Sequence, residues 1–232
     1  MKKISINIAF LIAGAILATG VLHGSGLNGL FGGVNIKNTP ALFLSDFIVI
    51  ALLLFNNMGL CENYLNGYGK YRLLRHKKRQ IMMFGIYKKT ALYVCLLTAS
   101  RILIYTVVLK VIGDNIVFKF NDTLNYVMLL ILALIFLCLI QYLFELKFSS
   151  AVGLMVTMLY YIFSISISGI LAEKNIYLPI LFLIPNYYMK NRSRILINET
   201  GISEWLLYFI LVTEIIALII LSGKVLKKKD IF

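Results

Sequence analysis

The side chains that usually carry enzyme chemistry are sparse in this chain. Only two histidines occur, His23 and His76, and the apolar runs described below place them on opposite sides of a bilayer. A metalloprotease needs an HExxH motif or a comparable set, and a serine hydrolase needs a histidine beside its nucleophile. Paired glutamates and membrane-embedded aspartate pairs are absent from the sequence as well. We therefore expect no catalytic site and no metal site.

Thiol and nucleotide chemistry are not expected either. The cysteines, Cys61, Cys95 and Cys138, have no CxxC spacing and fall within or at the ends of apolar runs, which is typical of buried small hydrophobes. The glycines between Gly24 and Gly33 follow a membrane helix rather than a strand, so they do not make a dinucleotide-binding motif. No GxxxxGK[ST] motif occurs. The chain is therefore predicted to hold no cofactor and to carry no P-loop of its own.

Two ionisable residues lie near the centres of apolar runs, Arg101 in the third and Glu214 in the sixth. A charge at the centre of a spanning helix costs about 2.5–3.5 kcal/mol on insertion scales. Similar depth and opposite sign suggest the hypothesis that both face the helix bundle and pair with each other. The alternative is that each has its own polar neighbour, from the set Thr98, Ser100 and Thr213.

Other polar residues in the apolar runs receive no predicted role. Asp46, Glu62 and Glu145 lie nearer the ends of their runs, where we expect water to be accessible. The fifth run contains Ser164, Ser166 and Ser168, whose spacing of two does not make one helix face. Small polar residues of this kind often serve close helix packing.

Six long apolar runs are the elements that must position these charges. The chain is 60% hydrophobic and only 14% charged, and a spanning helix needs roughly 20 apolar residues. The predicted spans are residues 4–22, 41–60, 90–112, 123–146, 151–171 and 205–223. Because they use most of the chain, we predict a single transmembrane domain over residues 1–232. The first run is long for a cleaved signal, so we expect it to be retained.

The distribution of basic residues predicts the orientation of the spans. With the amino terminus inside, the inner set holds fifteen lysines and arginines and the outer set holds seven. The inner residues are Lys2, Lys3, Lys70, Arg72, Arg75, Lys77, Lys78, Arg79, Lys88, Lys89, Lys147, Lys224, Lys227, Lys228 and Lys229. Both termini are therefore predicted to be cytoplasmic. The same rule explains the net charge of +13 without any nucleic-acid partner.

The stretch 176–189, between the fifth and sixth spans, is apolar but too short to cross a bilayer. It contains Pro179 and Pro185, which break a regular helix. A full crossing would also place the lysine-rich tail outside, against the charge rule. We predict a re-entrant or interfacial segment on the outer side. The fold class is thus an all-α integral membrane protein of six transmembrane helices with this short broken segment.

Residues 62–89 form the largest predicted cytoplasmic segment. It contains Glu62 and a breaker-rich turn of Asn66, Gly67, Tyr68 and Gly69. A helix-like stretch follows, in which Arg72, Arg75 and Arg79 share one face with His76. One interpretation is a partner-docking loop. The other is a basic amphipathic segment that rests on anionic headgroups.

The architecture resembles the ABC-2 type permeases, the membrane half of certain bacterial ATP-driven exporters. The local sequence from Glu62 through Asn66 to Gly69, followed by Arg75 and Arg79, is similar to the ENGYG…R…SR…W pattern after the second span. That pattern occurs in small permease-like proteins linked to peptide-antibiotic or bacteriocin transport and immunity. The architectural resemblance covers nearly the whole chain, and the residue-level resemblance covers residues 61–84.

The resemblance implies a mechanism and partners. Two six-helix subunits, identical or different, would pair and bind two cytoplasmic ATPase subunits, with the loop after the second span as the coupling helix. Gly67 and Gly69 would permit its sharp turn, Arg75 and Arg79 would bind acidic residues of the ATPase, and the proline-broken segment would form an outer lid. The implied function is export of a peptide, a bacteriocin or another membrane-active compound from the cell membrane of a bacterium. Two alternatives remain open: a stand-alone immunity or sensor protein that sequesters a toxin, and a structural partner whose basic loop anchors it to lipid.

Overall fold

The computed structural model describes residues 2–20, 29–34, 39–66, 79–113 and 120–228. The helices within these ranges are α1 (Lys2–Thr19), α2 (Pro40–Asn57), α3 (Leu60–Asn66), α4 (Arg79–Ile112), α5 (Phe120–Lys147), α6 (Ser150–Glu173), α7 (Lys190–Thr200) and α8 (Glu204–Lys228). Two 3₁₀ turns, Leu178–Phe182 and Ile184–Asn186, lie between α6 and α7. No strand occurs in the described part of the chain, so the fold is all-helical.

Five of these helices are long and apolar enough to cross a membrane. The corresponding stretches are Pro40–Asn63, Met83–Ile112, Thr123–Lys147, Ser150–Glu173 and Glu204–Leu226. They match the second to sixth predicted spans. The apolar stretch of α1, Ile6–Thr19, is shorter than a typical span.

The helix α5 is the centre of the bundle. It packs against α6 and α8 on two sides and also contacts α2, α3 and α4, while α1 packs against α2 and α4. Its interior-facing residues Leu137, Cys138, Gln141 and Tyr142 are fully buried. The Gln141 side-chain amide donates to the Leu54 carbonyl at 3.0 Å, which ties α5 to the end of α2 near Asn57. This end of the bundle is called inner below, and the opposite end outer, after the orientation that the charge rule predicts.

The helices α5 and α6 meet at a tight inner turn around Ser149. Its hydroxyl accepts a hydrogen bond from the Val152 N–H at 3.4 Å and caps α6. Close approach of the two helices depends on Gly153, where an added Cβ would lie 2.7 Å from the Gln141 carbonyl oxygen. A glycine is therefore required at this crossing.

Two boundaries differ from the sequence-based expectation. The predicted third span begins at residue 90, whereas α4 begins at Arg79 and passes through Lys88 and Lys89 without a break. Residues 79–89, the last part of the predicted inner loop, and the third span are thus parts of one helix. In addition, α7 follows the predicted broken segment, at residues for which no helix was predicted, and it is capped by Gly201 in the left-handed conformation (φ 67°).

Candidate functional site

A buried ion pair joins α2 to α4 in the outer half of the bundle. The Arg101 guanidinium donates to the Asp46 carboxylate, and only 7% and 3% of the two residues are exposed. The predicted pairing of Arg101 with Glu214 is wrong, and so is the expectation that water reaches Asp46. Each charge offsets the desolvation cost of the other, which explains how α4 carries an arginine about 16 Å from its outer end.

The polar residues that the sequence offered as alternative partners are bonded within their own helices. The Thr98 hydroxyl donates to the Val94 carbonyl at 2.8 Å, and the Ser100 hydroxyl donates to the Leu97 carbonyl at 2.8 Å. Thr213 likewise donates to a carbonyl one turn earlier, at 2.7 Å. Asp46 is therefore the acid that satisfies Arg101.

The broken segment reaches this ion pair through Tyr188. The Tyr188 hydroxyl lies 3.4 Å from the second Asp46 carboxylate oxygen and 3.4 Å from the Tyr161 hydroxyl of α6. Burial, and then the charge of Asp46, raises the pKa of Tyr188 well above its usual range, so the phenol keeps its proton. Phe43 and Phe47 of α2 stack on the Tyr161 ring, with centroids 6.3 and 6.4 Å away. Tyr188 and Tyr161 therefore link the ion pair to a stack of aromatic rings.

Asn186 holds the broken segment along the outer half of α6. Its amide NH₂ donates to the Ser164 hydroxyl at 3.2 Å and the Ser164 carbonyl at 3.3 Å, while its carbonyl oxygen accepts from the Ser168 hydroxyl at 2.8 Å. Ser164 lies nine residues before the end of α6, so the contact is about 13 Å below that end. Pro179 and Pro185 are the second residues of the two 3₁₀ turns, the first exposed and the second buried.

The serine contacts were missed by sequence reasoning. Ser164 and Ser168 are four residues apart and therefore lie on one helix face, whereas the spacing of two drew attention to Ser166. Ser166 donates to the Ile162 carbonyl of its own helix at 2.8 Å. The four-residue spacing of Ser164 and Ser168 was present in the sequence, but it indicates a contact only once a partner such as Asn186 is known.

Arg192 of α7 joins the broken segment to the outer loop at residues 29–34. It donates to the Ser168 hydroxyl, the Asn186 side-chain oxygen and the backbone carbonyls of Ile165 and Val34. These acceptors are all uncharged, and burial lowers the pKa of Arg192. A cleft of about 390 Å³ opens beside the guanidinium, lined in part by Gly33, Tyr177 and Ile195.

Glu214, the second intramembrane charge, is half-buried on α8. Its charge acts on Tyr187, whose pKa is raised first by burial and further by Tyr160 and Glu214. The Tyr187 hydroxyl itself donates to the Leu181 carbonyl. The two predicted intramembrane charges are thus in different surroundings, Arg101 inside the bundle and Glu214 beside the broken segment.

At the opposite end of the bundle, Glu62 of α3 binds the turn between α5 and α6. Its carboxylate accepts from the Ser150 N–H at 3.3 Å, and its own backbone N–H donates to the Glu145 carboxylate at 3.1 Å. A turn at Gly59, with φ of 79°, separates α3 from α2. Asn66 ends α3 and Arg79 begins α4. The predicted loop residues Gly67, Tyr68, Gly69, Arg72 and Arg75 lie outside the described residues.

Metal chemistry receives no support from the described residues, which contain no group of three or more His, Cys, Asp or Glu able to hold an ion. A family model with the description "Protein of unknown function (DUF2705)" matches residues 3–232. Neither the curated proteins nor the solved structures contain a match to the chain. The site's own geometry is therefore the basis for a functional proposal.

Proposed function

We propose that this chain, which belongs to the DUF2705 family of proteins of unknown function, is the permease subunit of an ATP-driven ABC-type exporter in the cell membrane. Its cargo is a peptide, a bacteriocin or another membrane-active compound. A separate cytoplasmic ATPase binds ATP and docks on the basic loop between α3 and α4. The chain itself binds no cofactor and catalyses no reaction.

The observation that carries this proposal is the attachment of α3 to the bundle. Glu62 of α3 accepts from the first N–H of α6, and its backbone N–H donates to Glu145 near the end of α5. On its other side the basic loop is followed in the sequence by α4, which begins at Arg79 and is one of the apolar helices. A displacement of the loop would therefore be passed to three spanning helices, as a coupling element requires.

The broken segment is the proposed outer lid of the translocation path. Its contact with Ser164, about 13 Å below the outer end of α6, fits a re-entrant segment in a six-span topology with both termini inside. Irregular backbone at membrane depth is tolerated where protein satisfies its polar groups, as Asn186 does here. Because Tyr188 also approaches Asp46, movement of the lid would disturb the buried ion pair.

A second permease subunit is proposed to cover part of α8. Only 17% of the apolar stretch of α8 is buried, against 56% for α5, and the half-buried Glu214 lies in that stretch. A carboxyl group at that depth is costly against lipid, which favours protein as its neighbour. The partner is either a second copy or a related chain.

The test is a pull-down of the tagged protein from mild detergent beside an Arg75→Glu, Arg79→Glu variant. We expect an ABC ATPase with the wild type and its loss from the variant. The matched control is Lys228→Glu, Lys229→Glu, which reverses as much inner charge in the C-terminal tail and should keep the ATPase. Loss from both variants would indicate a lipid anchor that depends on net charge alone. If no ATPase accompanies the wild type, the permease proposal is rejected in favour of a stand-alone immunity protein.

A further inference from the structure

A groove runs along the inner ends of α4 and α8. It consists of two adjoining cavities of about 360 and 430 Å³ that share Phe84, Tyr87 and Ile219. The first continues between α4 and α8 to Lys224, and the second continues along α5 to Ile135. On α5 the wall runs from Ile135 to Tyr142, seven residues or about 10 Å, so the groove is long enough to hold part of an acyl chain within one leaflet.

The hydroxyl groups that line the groove already have hydrogen-bond partners within the protein. Of the hydroxyl groups around it, Tyr87 is bonded to Ser222 at 2.5 Å and Thr90 is bonded to Tyr142 at 2.6 Å. The remaining wall is aliphatic and aromatic, with Gly223 leaving room near the mouth. A chain of methylene groups satisfies such a surface, whereas a polar ligand would lose its hydrogen bonds to water.

The mouth of the groove is positively charged. Lys88 of α4 and Lys224 of α8 each line one of the two cavities, and both lysines are exposed. Both also belong to the set of residues that the charge rule places at the cytoplasmic face. Basic pockets between spanning helices on that side suit anionic headgroups.

We infer that this groove is a binding site for an anionic phospholipid of the inner leaflet. An acyl chain lies against Phe84, Ile219 and Ile135, and the headgroup phosphate is held between Lys88 and Lys224. The lipid bridges α4, which follows the basic loop in the sequence, to α8, the least buried of the five long apolar helices. This inference requires membrane insertion but not transport, so it stands or falls separately from the permease proposal.

The test uses tryptophan fluorescence in vesicles, because the chain has a single tryptophan, Trp205, at the outer end of α8. A Trp205→Phe, Phe84→Trp variant moves the reporter to the groove. Brominated phosphatidylglycerol and brominated phosphatidylcholine are then compared as quenchers at equal mole fraction. We expect the anionic lipid to bind at the groove about tenfold more tightly. Wild-type Trp205, remote from the groove, should be quenched equally by the two lipids.

Two further variants separate a specific site from general attraction to an anionic membrane. Lys88→Gln with Lys224→Gln should abolish the preference at the groove reporter, whereas Lys110→Gln with Lys174→Gln, at the outer ends of α4 and α6, should retain it. Ala91→Phe, which fills the groove and leaves its charges unchanged, should reduce quenching by both lipids. The inference is overturned if the groove reporter shows no lipid preference, or if the two double variants behave alike. Should Phe84→Trp fail to fold, Ile219→Trp places the reporter on the opposite wall.

Discussion

The two ends of the bundle hold their buried acids in different ways. In the outer half, Asp46 binds the side chain of Arg101 and is approached by Tyr188, so its partners come from distant parts of the chain. At the inner end, Glu62 and Glu145 accept hydrogen bonds from backbone N–H groups. The outer arrangement depends on a buried ion pair from which water is excluded. The inner arrangement fixes helix ends, with Glu62 partly exposed and Glu145 buried, so the expectation that water reaches Glu145 is wrong.

This difference predicts unequal consequences of losing one acid at either end. Removing one member of a buried ion pair leaves an uncompensated charge, which costs about 3–5 kcal/mol. Removing the partly exposed Glu62, which accepts from one backbone N–H, costs about 1 kcal/mol, because water replaces it. Losing an acid in the outer half should therefore lower the free energy of unfolding more than losing Glu62 at the inner end. We expect the substitution at the inner end to affect mainly the coupling between the basic loop and the helices.

The largest expected effect is that of Asp46→Ala, which leaves Arg101 buried without its acid. We expect a loss of about 3–5 kcal/mol in the free energy of unfolding, measured by SDS titration in mild detergent micelles. The double variant Asp46→Leu, Arg101→Met removes both charges and should recover most of that loss. If the double variant is no more stable than the single one, the ion pair is not the reason for the loss.

A smaller effect in the same half is expected from Asn186→Ala, which removes the bonds to Ser164 and Ser168. The lost hydrogen bonds favour local opening of the broken segment by about tenfold. The measurement is the labelling rate of Ile184→Cys, a buried position, by a membrane-impermeant maleimide after replacement of Cys61, Cys95 and Cys138.

Two controls accompany that labelling experiment. Leu178→Cys, at a position that is 70% exposed, should label rapidly with or without the Asn186 substitution. Asn191→Ala removes an exposed amide side chain at the start of α7 and should leave the Ile184→Cys rate unchanged. An equal rise with Asn191→Ala would mean that Asn186 has no particular role in holding the segment.

The next effect in size concerns the crossing of α5 and α6 beside the inner turn. Gly153→Ala places a methyl group 2.7 Å from the Gln141 carbonyl oxygen, which forces the two helices apart. Overpacking costs about 1–3 kcal/mol and exceeds the gain of up to ~1 kcal/mol from alanine's helix propensity. The same change at Gly169 of α6 meets nothing within 4 Å and should be neutral or stabilising. Equal unfolding free energies for the two variants would argue against close packing at Gly153.

The same contrast between the two halves explains what the sequence could predict. Length and hydropathy predicted the five long apolar helices, because each needs only a run of apolar residues. The partner of Arg101 was missed because depth along a helix does not reveal which helix lies alongside. The contact between α2 and α4 that joins Asp46 to Arg101 is a property of the packed bundle.

Short polar elements were harder to predict than long apolar ones. The helix α7, Lys190–Thr200, is too polar for a span, and it packs on the outer loop through backbone bonds from Lys190 to Phe31 and from Asn191 to Gly32. Backbone hydrogen bonds do not depend on the side-chain pattern, so the sequence does not predict them. Glu62 was singled out through a family resemblance, and its contact with Ser150 follows from the turn that brings α3 back to α5.

The smallest change in stability, and the most informative about function, is expected from Glu62→Gln. The glutamine oxygen can still accept from the Ser150 N–H, but without the charge that favours a helix N-terminus, so the loss is about 0.3–1 kcal/mol. If α3 passes motion from the loop to α5 and α6, transport should fall far more than stability does, while the ATPase still co-purifies. The measurement is cargo export per ATP hydrolysed in proteoliposomes, with Asn63→Gln of the same helix as control. If transport falls only in proportion to the folded fraction, Glu62 serves only to cap α6. The proposal that α3 passes motion from the loop to α5 and α6 would then be wrong.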